Sequence, residues 1–120
     1  MTKFKSLNQN SQFLKILKKK KINTKHFVIY FDKNIANFKK NANKYLNISF
    51  VVKKKTGNAV IRNKIKRKLK SAIQKTLKEK HIINLNYTYV VFGKNNVYRD
   101  KFKSIFDEVN KTFEKINNYI

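Results

Sequence analysis

Hydrophobic positions along this chain follow two spacings. Alternation comes first at Phe27, Ile29 and Phe31, with Val28 and Tyr30 on the other side, and predicts a strand over about Lys25 to Asp32. Leu46, Ile48, Phe50 and Val52 alternate with Asn47, Ser49 and Val51, which predicts a second strand over about Tyr45 to Lys53. A third, Tyr87 to Gly93, reads YTYVVFG. Helical spacing appears at Phe13, Ile16 and Leu17, on a helix from about Asn8 to Lys19 with Lys18–Lys21 loading its C-terminal end. It returns at Ile61, Ile65, Leu69, Ala72, Ile73 and Thr76, the seam of a long helix from about Asn58 to Lys80. Asn58 is its N-cap, and Gly57 supplies the backbone freedom for a sharp turn from strand to helix. Phe102, Ile105, Phe106, Val109, Phe113 and Ile116 mark a last helix, with Asp100 at its start as a dipole partner.

The polar stretch Asp32–Lys44 reads as a loop long enough for the first two strands to pair antiparallel. The predicted order is α-β-β-α-β-α, an α/β sandwich in which a small mixed sheet packs with helices. The chain has no Pro, only two Gly and no internal repeat, so residues 1–120 are expected to form one domain.

Charge changes the picture. Thirty Lys and Arg face six Asp and Glu, for a net charge of +24. An AT-rich coding sequence accounts for Lys in place of Arg, but not for this imbalance. Self-repulsion on that scale destabilises a compact chain unless a polyanion relieves it, and nucleic acid is the polyanion that fits. Residues 1–78 hold 23 of the basic residues and one acid, Asp32, whereas residues 79–120 hold seven basic residues and five acids. The binding surface therefore belongs to the first two thirds, with the C-terminal third as scaffold.

The long helix concentrates this chemistry. Arg62, Lys66 and Lys70 follow at i, i+4, i+8, with Asn63 and Arg67 in a row beside them. Lys64, Lys68 and Lys75 form an all-lysine flank on the opposite side, and Lys54 and Lys55 precede the helix. Only three residues are Arg, and two of them are here. Where plain charge suffices this chain uses Lys; Arg adds a planar fork for bidentate phosphate or base-edge contact. A solvated basic face is the competing reading, but six acids leave few intramolecular partners. Phe13 and Tyr30 are candidates to stack on RNA bases; Phe27 and Phe31 share the strand's core face.

Several classes are excluded. Without Cys there is no disulfide framework and no thiolate metal site. The apolar runs are far shorter than the roughly 18 residues of a membrane span, and no signal peptide is evident, so a cytoplasmic setting is expected. The acids cannot build a two-metal nuclease site: Asp32 is alone, and Asp107 and Glu108 diverge around one helix. His26 and His81 are the only histidines and read as surface residues, leaving no self-contained catalytic centre.

The stretch Lys54-Lys55-Thr56-Gly57-Asn58-Ala59-Val60-Ile61-Arg62-Asn63-Lys64-Ile65-Lys66-Arg67 resembles the signature of the bacterial ribonuclease P protein component, KK-x-GNAV-x-RN-x-x-KR. Asn10-Ser11-Gln12-Phe13 and Phe27-Val28-Ile29-Tyr30 look like that family's first helix and first strand. The resemblance implies the protein subunit of an RNA-based enzyme, in which the RNA with Mg2+ removes the 5′ leader of precursor tRNA. It implies no catalytic residue and no metal bound by the protein alone, and a monomer within the ribonucleoprotein. Its RNA-binding residues would be Lys54, Lys55, Asn58, Arg62, Asn63, Lys64, Lys66, Arg67 and Lys70, with Phe13 and Tyr30 in a leader-binding cleft. It also implies a left-handed β-α-β crossover around the motif helix, against the usual right-handed rule. Lys64 and Lys70 stand where the family usually has Arg, Leu17 where a second cleft Phe is common, Lys53 for Ser and Ser49 for Gly. A basic ribosomal or RNA-chaperone protein is the alternative, followed by a metal-independent ribonuclease built on His26 and His81.

Overall fold

A computed structural model describes residues 3–5, 15–33 and 45–119. Five strands form one sheet: β1 (Lys3–Lys5), β2 (Lys20–Asn23), β3 (Phe27–Lys33), β4 (Tyr45–Val51) and β5 (Tyr87–Gly93), in the spatial order β1-β4-β5-β3-β2. The helices that lie wholly among the described residues are α1 (Ala59–Glu79), the short α2 (Asn96–Arg99) and α3 (Phe102–Tyr119), with a 3-10 turn at Lys54–Thr56. The expected α/β class, the mixed sheet and the three predicted strands are present.

Three expectations are corrected. The first two predicted strands, β3 and β4, do not pair with each other. The hydrophobic β5 inserts between them, antiparallel to β3 and parallel to β4. Its Val90 and Val91 are completely buried, so it belongs at the sheet's centre, where both faces are covered. Second, no helix continues to Lys19. Lys15 and Ile16 are helical, then a turn closes with Lys18 N–H donating to the Lys15 carbonyl and Lys19 N–H to that of Ile16. Lys20 and Lys21 thus lie in β2, an edge strand whose single buried residue is Ile22, too weak an alternation to signal itself. Most of the predicted first helix, including Phe13, falls outside the described residues. Third, Gly57, expected to supply backbone freedom for the turn, has an extended backbone (φ 164°). What it needs is space: a Cβ there would lie 2.9 Å from Ile61 Cγ2.

Alternation assigns the sheet's two faces. Phe27, Ile29, Phe31, Leu46, Ile48, Tyr89 and Val91 turn to the core side. Ile65, Leu69, Ala72, Ile73 and Thr76 of α1 and Ile105, Val109, Thr112, Phe113 and Ile116 of α3 close that core. The closest approach is at Gly93, where a Cβ would meet Ile65 Cγ2 at 2.8 Å and Leu69 Cδ1 at 2.9 Å, so the strand end admits no side chain. Phe102 and Phe106, expected in the α3 seam, lie half-buried on its flank instead.

Candidate nucleic-acid interface

The N-terminus of α1 is fixed by the residues that lead into it. Asn58 Oδ1 accepts the Ile61 backbone N–H at 3.0 Å, the cap expected of this residue type. Arg62 folds back so that its Nε donates to the Gly57 carbonyl at 3.2 Å, tying helix to turn. Lys53, Lys54 and Lys55 are exposed just before this point.

Along the helix, Ile65, Leu69 and Ile73 face inward and the basic residues are forced outward by the 100° step. Lys66 is half-buried, while Asn63, Arg67 and Lys70 are exposed. The Arg62–Lys66–Lys70 row borders the β1–β4 edge: Lys70 Nζ sits 5.8 Å from the centroid of Phe4, which stacks on Phe50. Among the described residues the ion pairs are Lys25–Asp100, His26–Asp100, His26–Glu108 and Lys75–Glu79. None uses Arg62, Lys64, Lys66, Arg67 or Lys70, so among the described residues these five cations of the helix have no carboxylate partner.

The second flank behaves differently from the first. Lys64 Nζ lies 5.7 Å over the Tyr98 ring and Lys75 Nζ 4.6 Å over Phe106, while Lys68 Nζ donates to the Asp100 backbone carbonyl. Arg67, expected beside Asn63 on the first flank, instead lines a groove with Lys64, Lys68 and Tyr98. It sits near the helix crest, where a long side chain can lean either way.

Tyr30 lies on the sheet face turned away from α1, as its parity predicts. Its ring meets Phe92 edge-on at 5.6 Å, and Lys21 Nζ is 6.0 Å from its centroid. Phe92 and Lys21 are the members of this cluster that the sequence reading missed. Parity within YTYVVFG could have placed Phe92; Lys21 was hidden because β2 was not recognised. The basic row of α1 and Tyr30 therefore occupy opposite sides of the sheet. They approach through the strand ends, since Val28 pairs with Phe92, and Phe92 with Val51, two residues before Lys53.

The histidines overturn the expectation of two surface residues. His81 is exposed, but His26 is only 2% exposed. Its Nδ1 is 2.9 Å from Glu108 Oε1 and its Nε2 2.6 Å from Asp100 Oδ2, and its backbone N–H donates to Glu108 Oε1 at 2.8 Å. Each ring nitrogen thus faces a carboxylate oxygen at hydrogen-bond distance. Asp100 thus turns its carboxylate to the start of β3 rather than to its own helix. The His26 contact holds the Asp100 carboxyl below its usual range. Burial raises that of Glu108, but contacts from Thr24 and His26 outweigh it and leave Glu108 lowered too. With both nitrogens committed, His26 cannot take a proton from a ribose hydroxyl, which removes the metal-independent ribonuclease built on the two histidines.

A family model described as Ribonuclease P matches residues 1–117. The chain belongs to the ribonuclease P protein family. It is 32% identical over 108 residues to the ribonuclease P protein component of Mesoplasma florum, covering 89% of this chain and 90% of that one. To the component from Clostridioides difficile it is 31% identical over 111 residues, covering 90% and 91%. The fold matches the RNase P protein from Thermotoga maritima with a TM-score of 0.68 at 24% identity, covering 92% of this chain and 96% of that one. Family membership sets the chain in the ribonuclease P ribonucleoprotein, with an RNA partner and a role in tRNA 5′ maturation, and disfavours the ribosomal or chaperone alternative. Among the described residues, no helix is long and apolar enough to cross a membrane.

Proposed function

We propose that residues 1–120 act as one RNA-binding domain, monomeric in a cytoplasmic ribonucleoprotein, that grips the catalytic RNA through α1 and the 5′ leader of precursor tRNA through the opposite sheet face. The observation that carries this reading is the unpaired basic row of α1. Arg62, Asn63, Lys66, Arg67 and Lys70 project from a helix whose other side is core, and among the described residues no carboxylate pairs with Arg62, Lys66, Arg67 or Lys70. Phosphate oxygens are the partners such donors fit. Lys54, Lys55 and Lys64 extend the basic surface, and Asn58 serves it by capping and orienting the helix. On the other face, Tyr30 offers a ring to a leader base, with Lys21 beside it for phosphate. Phe13 belongs to the same proposed cleft.

Chemistry is assigned to the RNA subunit. Mg2+ takes hard oxygen ligands. Among the described residues no three His, Asp or Glu side chains gather to hold such an ion. RNA phosphates supply oxygen ligands of that kind. The protein's part is to bind, orient and screen charge between two polyanions.

Reconstitution tests this. The chain is mixed with a bacterial ribonuclease P RNA, and precursor tRNA cleavage is followed at low Mg2+. Protein-dependent release of the leader, leaving a 5′ phosphate on the tRNA and with no activity from protein alone, is the expected result. Arg62→Ala should cost on the order of 1–3 kcal/mol of RNA affinity. Tyr30→Ala should weaken leader-bearing precursor more than mature tRNA; equal losses for both would remove Tyr30 from the leader site.

A further inference from the structure

The other flank of α1 shares Lys64 and Arg67 with the basic surface argued above and adds Lys68, Ser71, Tyr98 and Phe102, which neither of those two surfaces uses. Lys64, Arg67, Lys68 and Ser71 line one wall of a groove of about 570 Å3, and Tyr98 of α2 and Phe102 of α3 line the other. The Phe102 and Phe106 rings continue the aromatic wall, stacked 6.3 Å apart and 7° from parallel. Large hydrophobic side chains are exposed at three places among the described residues, Val60, Tyr98 and Tyr119. Two of the three belong here: Tyr98, 42% exposed, lines the groove, and Val60, 63% exposed, lies one helical turn before Lys64.

Charge on this flank is not neutralised by the chain. Its one carboxylate contact is Glu79, 3.9 Å from Lys75. Asp100 gives Lys68 only its backbone carbonyl, because its carboxylate is held by His26. An exposed ring walled by cations fits one ligand chemistry well: a base with a free face and a phosphate on each side. Paired RNA offers no free face. An apolar protein segment would cover Tyr98 but leave the cations desolvated without a counter-charge.

We propose that this groove seats an unpaired nucleotide of RNA, its base stacked on Tyr98 and its phosphates held by Lys64, Arg67 and Lys68. The proposal rests on the RNA partnership argued above. It adds a third contact surface on the side of α1 away from the Arg62–Lys66–Lys70 row.

The test titrates a bacterial ribonuclease P RNA with the full chain at several salt concentrations, comparing wild type with Arg62→Ala, Tyr98→Ala, Tyr98→Leu, Tyr98→Phe and Lys68→Ala. Tyr98→Ala and Tyr98→Leu should each raise Kd about 5- to 100-fold with an unchanged salt slope, and Tyr98→Phe should stay within about twofold of wild type. Lys68→Ala should lower the salt slope by about one. Should Tyr98→Ala fold poorly, Tyr98→Leu and Lys68→Ala still decide the matter. Wild-type affinity in Tyr98→Ala and Tyr98→Leu and a wild-type slope in Lys68→Ala, with Arg62→Ala weakened, would overturn the groove and leave the main interface standing. Equal weakening by Tyr98→Ala and Tyr98→Phe would overturn stacking. Failure of the wild-type chain to bind this RNA would overturn the partnership itself.

Discussion

Helices α1 and α3 pack against each other through seams of similar character and treat charge in opposite ways. The Lys and Arg side chains of α1 point outward, and Lys75 alone among them has a carboxylate within reach. Two of the four acids of α3 and its lead-in are drawn elsewhere: Glu108 and Asp100 close on His26 at the start of β3. Acids placed to reach the basic row of α1 would have neutralised it. Holding them on a buried histidine uses them for the scaffold and leaves the α1 surface strongly positive. Separation of charge by location, rather than net charge alone, is what makes one face of a basic protein a binding face.

That contrast can be broken at three levels. The largest effect should come from the seam both helices share: Leu69→Ala removes a fully buried side chain beside Gly93 and should lower unfolding free energy by about 2–5 kcal/mol in urea titration. RNA affinity of the folded fraction should be unchanged.

Next is the His26 cluster. Both carboxyls titrate below their usual range in the folded chain, so the stability they contribute is present above that range and is lost as pH falls through the folded values. His26→Gln should therefore lower Tm at about pH 5.5, and the gap to wild type should close below about pH 4. A gap independent of pH would mean that packing, not charge pairing, sets the role of His26.

The smallest effects should sharpen the comparison directly. Lys66→Ala and Lys70→Ala on α1 should each lower the salt slope of RNA binding by about one, with stability within about 0.5 kcal/mol of wild type. Lys111→Ala and Lys115→Ala on α3 should change neither. If the α3 variants lowered the slope as much, the charge would act as a diffuse field and α1 would lose its distinction.

Much of this was legible in the sequence because it was local. Period-two runs gave β3, β4 and β5 to within about two residues, and the Asn58 cap fixed the start of α1. Tyr30's parity put it opposite Phe27 and Phe31. Illegible parts were of two kinds. The edge strand β2 carries a single buried position, and β1 is three residues long, too short to show alternation. His26 reads as a surface residue in the sequence because its partners lie 74 and 82 residues away, with nothing in the intervening pattern to mark them.

The sequence by itself determined which residues point inward, where the charge lies along the chain and, through the GNAV-x-RN stretch, the family. Those follow from spacing and composition, which need no partner to be read. Only the tertiary structure decided that β5 separates β3 from β4, that Gly57 and Gly93 are needed for room, and that Arg67 leans toward Tyr98. It also decided that Asp100 and Glu108 serve a histidine rather than a helix dipole or a lysine. These depend on which distant segments become neighbours, and contact across long sequence separations is set by the packing of the whole core.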